Sequence, residues 1–112
     1  MAPGGLAQTE ILSTLGTGLL IGNLWYLNYS DRNACRLTGM TRFATFWVEH
    51  GEIAGPVNVM RFDDSLYRIL GSNLIALTAE REWRLSTSTY DCRSNASMHI
   101  PGALIGGLRL TL

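Results

Sequence analysis

The stretch Leu37–Phe62, LTGMTRFATFWVEHGEIAGPVNVMRF, decides the fold: it reads as two strands joined by a tight turn at His50-Gly51. Arg42, Ala44, Phe46 and Val48 alternate with Thr41, Phe43, Thr45 and Trp47. Neither face is plainly polar, as expected of a strand covered on both sides and central in its sheet. His50-Gly51 stands where Asn-Gly commonly stands in a two-residue hairpin loop, with Gly51 free to take a positive φ and His50 taking it at some cost. Counting back from the turn sets Val48 opposite Ile53, Phe46 opposite Gly55 and Ala44 opposite Val57, so that large side chains face small ones. Pro56 cannot donate to a ladder, so the return strand is expected to be an edge strand or to bulge near Gly55-Pro56.

The flanks read as cover for this hairpin. Met1–Gly5 is a Pro/Gly lead-in. Ala7–Leu15 suits a short helix with Ile11, Leu12 and Leu15 on one side, stopped by Gly16. Gly18–Tyr29 is expected to be a long buried strand kinked at Gly22, with a polar turn over Asn28–Asn33. After Phe62, Asp63 or Asp64 can cap a two-turn helix carrying Leu66, Ile69 and Leu70 and ending at Gly71. Leu74–Leu77 and Arg81–Leu85 read as separate apolar and alternating segments, Ser86–Ser97 as an exposed loop, and Met98–Ile100 and Leu108–Leu112 as closing strands around Pro101-Gly102. The fold class expected is α+β, a mainly antiparallel sheet or barrel-like domain with two short covering helices, in a single domain over residues 1–112.

Nine basic residues balance nine acidic ones, with no basic run, which gives no electrostatic reason to expect nucleic acid or a membrane surface as partner. Every basic residue is Arg, a usage that suits an interface and that codon bias also explains. The chain is 46% hydrophobic and only 16% charged, which is apolar for 112 residues, so part of its surface is expected to belong to an interface. No apolar run is long enough to span a membrane and no export signal opens the chain, so a cytoplasmic protein with free thiols at Cys35 and Cys92 is expected.

Thr38-Gly39, Arg42, Ala44, Phe46-Trp47-Val48-Glu49, Gly51-Glu52-Ile53 and Pro56-Val57 together resemble the carboxy-terminal region of the TldD/PmbA family. Leu15-Gly16-Thr17-Gly18-Leu19 is similar to that family's entry motif, and the likeness runs from about Pro3 to Leu112. The family contains zinc metallopeptidases and their non-catalytic partner subunits. The resemblance implies that the chain is the carboxy-terminal part of a longer protein. It also implies a homo- or heterodimer with a TldD/PmbA-type subunit, a peptide substrate, and zinc in the full assembly. The H-E-x-x-x-H motif that places two imidazoles on one helix face to hold zinc does not occur here, so this chain alone is expected to bind no cofactor and to catalyse nothing.

TldD-type members have a late cysteine as third zinc ligand. Cys92 has roughly that placement, although Arg93-Ser94-Asn95 replaces the family's Gly-Lys; a free thiol is the competing reading. His50 and His99 could join Cys92 in a local site, or be ordinary turn and strand-end residues. Glu49 and Glu52 form a like-charged cross-strand pair that Arg42 could offset. Trp25, Tyr26, Phe43, Phe46 and Trp47 read as sheet core or as the aromatic wall of a channel or interface. The candidate substrate or interface residues are Trp25, Arg42, Phe46, Trp47 and Gly55. An extended peptide could add to a bulged sheet edge at Gly55-Pro56. The FWVE-x-GEI pattern resembles the metal-free partner type. The expected role is scaffold, dimer contact and one wall of a peptide cavity, the alternative being a stand-alone β-rich interaction module.

Overall fold

The computed structural model describes residues 1–87 and 89–111. It is α+β and mainly antiparallel, with three sheets, none of which closes into a barrel among the described residues. The strands are β1 (Gly18–Ile21), β2 (Leu24–Asp31), β3 (Arg36–Thr41), β4 (Thr45–Glu49), β5 (Glu52–Pro56), β6 (Arg61–Ser65), β7 (Leu74–Leu85), β8 (Ser97–Ile105) and β9 (Leu110–Thr111). They associate in the orders β1-β4-β5, β2-β3-β6-β9 and β7-β8. A 3-10 turn at Gln8–Glu10 leads into helix α1 (Ile11–Leu15), which ends at Gly16 as expected, with the Gly16 N–H bonded to the Leu12 carbonyl at 3.0 Å.

The hairpin turn is where the sequence placed it. His50 (φ 51°) and Gly51 (φ 77°) both take the left-handed conformation that a two-residue turn of the right twist requires. β4 is central and β5 is an edge strand. Val48 faces Ile53 as expected, but Phe46 faces Pro56 rather than Gly55, and Gly55 lies opposite Trp47. One extra residue, Ala54, is inserted on β5, so the bulge precedes Gly55-Pro56 and shifts every later pair by one.

Leu37–Phe62 is not two strands but parts of four, because the alternation from Thr41 to Val48 is interrupted at Arg42–Ala44. At the same level Gly22-Asn23 interrupts the reading of Gly18–Tyr29 as one strand. Pairing continues round this corner: the Gly22 N–H bonds to the Ala44 carbonyl (2.8 Å) and the Arg42 N–H to the Asn23 carbonyl (3.0 Å). The antiparallel pair thus leaves one sheet as β1-β4 and enters the next as β2-β3. Ala44 has φ 57°, and Phe43 is the extra residue pushed outward. A Cβ on Gly22 would stand 2.6 Å from the Ala44 carbonyl oxygen, so only glycine permits the approach. Two buried hydroxyls hold the corner: Thr41 Oγ1 accepts the Met60 N–H (2.9 Å) and Thr45 Oγ1 donates to the Arg42 carbonyl (2.9 Å).

Other expectations are corrected. β2 is exposed along its whole length, because it is the edge of its sheet and no described element covers it. The turn after it is Arg32–Cys35, tied by Asp31 to the Asn33 and Ala34 N–H groups. Asp63 and Asp64 do not cap a helix; both lie in β6, and the following turn, Arg68–Ser72, is π-wound, with the Asn73 N–H bonded to the Arg68 carbonyl at 2.9 Å. β7 is one strand across Leu74–Leu85 and β8 runs unbroken through Pro101-Gly102. A bulge in β7 between Leu77 and Arg81 keeps the two in step, and the buried Thr78 hydroxyl fills it, accepting the Gly102 N–H at 2.8 Å and donating to the Glu80 carbonyl at 2.7 Å.

The interior is small and partly polar. Val48, Phe62, Pro101 and Leu104 are the buried apolar side chains among the described residues, beside buried Thr41, Thr45, Thr78 and Asp64. Asp64, 1% exposed, pairs with the Arg68 guanidinium and accepts the backbone N–H groups of Ser65 (2.8 Å) and Arg109 (2.9 Å). It ties β6 to the π-turn and to the approach to β9. Asp63, on the opposite face, pairs with Arg36 and accepts from Ser30 Oγ.

These contacts rank the substitutions. Asp64→Ala strands a guanidinium and two N–H donors and should cost about 3 kcal/mol, whereas Asp63→Ala, at a partly exposed pair, should cost about 1 kcal/mol or less. Gly22→Ala should cost about 2 kcal/mol through its clash, while Gly71→Ala, with nothing within 4 Å of the added Cβ, should stay within about 0.5 kcal/mol of the parent. Urea denaturation of the four variants checks the order.

Candidate functional site

The corner determines which side chains reach the surface. Arg42 and Phe43 sit on its outer side, and Trp25 follows Gly22-Asn23 at the start of β2. The Arg42 guanidinium carbon lies 3.7 Å from the centre of the Trp25 ring and 5.5 Å from that of Phe43. Such a cation over a π face is held by the ring quadrupole. Neighbouring side chains of a regular strand point to opposite faces, yet the Trp25 and Tyr26 rings meet edge-on, 4.5 Å apart. Tyr26 has φ 55° and the β2-β3 register shifts between Trp25 and Asn28, so the contact is made at a bulge.

Two of the residues singled out from the sequence, Trp25 and Arg42, therefore form one unit. Phe46, Trp47 and Gly55 lie in the other sheet, where Trp47 faces Gly55 across β4-β5. Trp47 lines an open, mostly apolar groove of about 480 Å³ between α1, β1, β8 and β9, with Leu15, Leu19, Ile75, Leu104 and Leu110 among its walls. Glu49 and Glu52 are the cross-strand pair foreseen, but Arg42 does not offset them: it lies over Trp25 and makes no ion pair among the described residues.

Cys92 is exposed in the loop between β7 and β8, its N–H bonded to the Tyr90 carbonyl at 2.8 Å. His50 is at the hairpin tip, and His99 stacks on Trp83 across β7-β8 with ring centres 4.4 Å apart. Among the described residues no group of three or more His, Cys, Asp or Glu side chains comes together to hold a metal ion. Zinc therefore has no set of three such donors within these residues, and what the surface presents is π faces, guanidinium groups and an apolar groove.

A second, smaller hollow of about 250 Å³ lies on the outer face of β2-β3-β6, lined by Tyr26, Asn28, Thr38, Gly39, Met40 and Arg61. The sequence reading missed it. The signal available was the alternation in β6, where Phe62 and Asp64 turn inward and leave Arg61 and Asp63 on the outer face.

The Trp25–Arg42 contact is testable as a coupling. Arg42→Gln should cost about 0.5–1 kcal/mol, and the loss should vanish in a Trp25→Ala background. A double-mutant cycle from urea unfolding measures it.

No curated protein and no solved structure was found to match the chain. The family model described as the PmbA/TldA metallopeptidase C-terminal domain matches residues 1–112. With the Thr38–Val57 pattern now placed on the corner and the β4-β5 hairpin, the chain belongs to the PmbA/TldD metallopeptidase family, as its C-terminal domain.

Proposed function

We propose that this domain is the carboxy-terminal, non-catalytic part of a PmbA/TldD peptidase assembly, where it serves as scaffold, subunit contact and one wall of the peptide cavity. The observation that carries the reading is the distribution of apolar surface. Leu24, Trp25, Tyr26, Leu27 and Tyr29 are all at least 40% exposed along β2, while Val48, Phe62, Pro101 and Leu104 are the only apolar side chains buried among the described residues. A surface of this composition belongs against a partner. The Trp25–Arg42 unit adds a rigid aromatic anchor of the kind that dominates interface energies.

In this reading the metal and the water it activates belong to a TldD-type subunit. Cys92 is exposed and could at most extend one thiolate towards ligands held elsewhere. No helix among the described residues is long and apolar enough to cross a membrane.

Light scattering at rising concentration, alone and with a metal-bearing family subunit, tests the proposal. The chain should self-associate or bind that subunit, and Trp25→Ser with Tyr29→Ser should weaken the association at least tenfold while lowering stability by no more than the about 1–2 kcal/mol carried by the Trp25–Arg42 and Tyr29–Arg32 contacts. A chain that stays monomeric and ignores the subunit would refute it. Zinc in the assembled complex should be unaffected by Cys92→Ser; its loss would make the domain a ligand donor instead.

A further inference from the structure

The hollow on the outer face of β2-β3-β6 shares Tyr26 with the β2 contact surface, but its guanidinium and amide chemistry is one that the subunit-contact reading does not use. Arg61 is exposed and, among the described residues, its guanidinium has no ion pair and no hydrogen bond. The nearest acid on its strand and face is Asp63, which is already engaged by Arg36 and by Ser30 Oγ at 3.3 Å. Around Arg61 stand further donors. The Asn28 amide makes one long contact, 3.5 Å to the Tyr26 carbonyl, and the Tyr26 hydroxyl has no partner among the described residues. The Thr38 hydroxyl is already spent on the Phe62 carbonyl at 3.1 Å and closes the wall between them. Met40 is the apolar side chain of the lining, and Gly39 adds none of its own.

Tyr26 is held at φ 55°, a conformation that costs a non-glycine residue about 1 kcal/mol or more. The bulge that imposes it turns the phenol onto the rim of the hollow, with its ring against Trp25. The Trp25–Tyr26 pair consequently has a guanidinium on each side, Arg42 over Trp25 and Arg61 across the hollow from Tyr26.

We infer that this hollow is a carboxylate-binding site, in which Arg61 takes the anion in a two-pronged grip, the Asn28 amide and Tyr26 hydroxyl complete its hydrogen bonds, and Met40 contacts the adjoining carbon chain. A planar guanidinium matches the two oxygens of a carboxylate, and a charge-assisted pair is the strongest contact so open a site can make. The ligand is a peptide carboxylate, either an acidic side chain or a free C-terminus. That assignment rests on the peptide-wall reading; the anion chemistry of the hollow does not.

Two short peptides separate the sources: one amidated at its C-terminus and carrying a single Glu, the other with a free C-terminus and no acidic residue. Each is titrated into the isotopically labelled chain by NMR. At least one should bind saturably with its largest shifts at Asn28, Thr38 and Arg61, and the one that binds identifies the source. Arg61→Gln should weaken it about tenfold, whereas Arg93→Gln, on the β7-β8 loop, should leave it unchanged. No saturable shift with either peptide, equal binding to Arg61→Gln, or tighter binding of inorganic phosphate than of either peptide would overturn the site. The light-scattering variants, at Trp25 and Tyr29, lie outside the lining of the hollow and Arg61 lies outside β2, so loss of the carboxylate site and loss of the subunit-contact role are told apart.

Discussion

The close approach of Gly22 to Ala44 is the contact on which the rest of this fold depends. It lets one antiparallel pair change sheets without losing its ladder, because the Gly22 N–H reaches the Ala44 carbonyl where any Cβ would block it. A strand pair that turns a corner must release one residue, and here that residue is Phe43, thrown to the surface with Arg42 behind it. The architecture and the candidate site therefore have one cause. Moving the corner by a residue would reverse which side chains of β3 face inward and would part Arg42 from Trp25.

The interior shows how such a bent scaffold holds together with so few buried apolar groups. Of its buried polar side chains, Thr41 and Thr45 hold the corner, Thr78 fills the β7 bulge and Asp64 ties β6 to the π-turn and the approach to β9. Each satisfies backbone groups that leave the regular ladder at that point, and no buried side-chain polar atom among the described residues lacks a partner. Burying polar groups is tolerable only when they are fully bonded. In this chain they take over work that apolar packing performs in a thicker domain.

What the sequence revealed and what it hid divide along local and non-local causes. The His50-Gly51 turn was legible because a two-residue hairpin is decided by its own backbone, and the helix stop at Gly16 for the same reason. The kink at Gly22 was visible, but its meaning, a change of sheet, depends on Ala44, twenty-two residues on, and the alternation from Thr41 to Val48 reads unbroken through the corner. Asp63 and Asp64 are the same residue type side by side, and nothing local says that one is buried against the Arg109 N–H while the other faces out. Trp25 and Arg42 were both named from the sequence; their stacking was not, because it follows from the corner's register. Arg61 was passed over because an arginine on an exposed face is ordinary until its neighbours are seen to leave it without an acid.

The same irregularities decide how β2 can recognise anything. An edge strand ordinarily invites another strand to pair with it, and eight exposed residues would make a long template. Here the register slips twice, between Trp25 and Asn28 and again between Tyr29 and Asp31, and Tyr26 stands at φ 55°. A peptide laid along this edge would find its backbone partners out of step after two or three residues. What the bulges take from the backbone they give to the side chains, since they bring Trp25 and Tyr26 into contact and leave guanidinium groups beside them and over Tyr29. A partner docking on this face would therefore meet aromatic surface and charge, with β5, another bulged edge, offering a shorter run of free backbone.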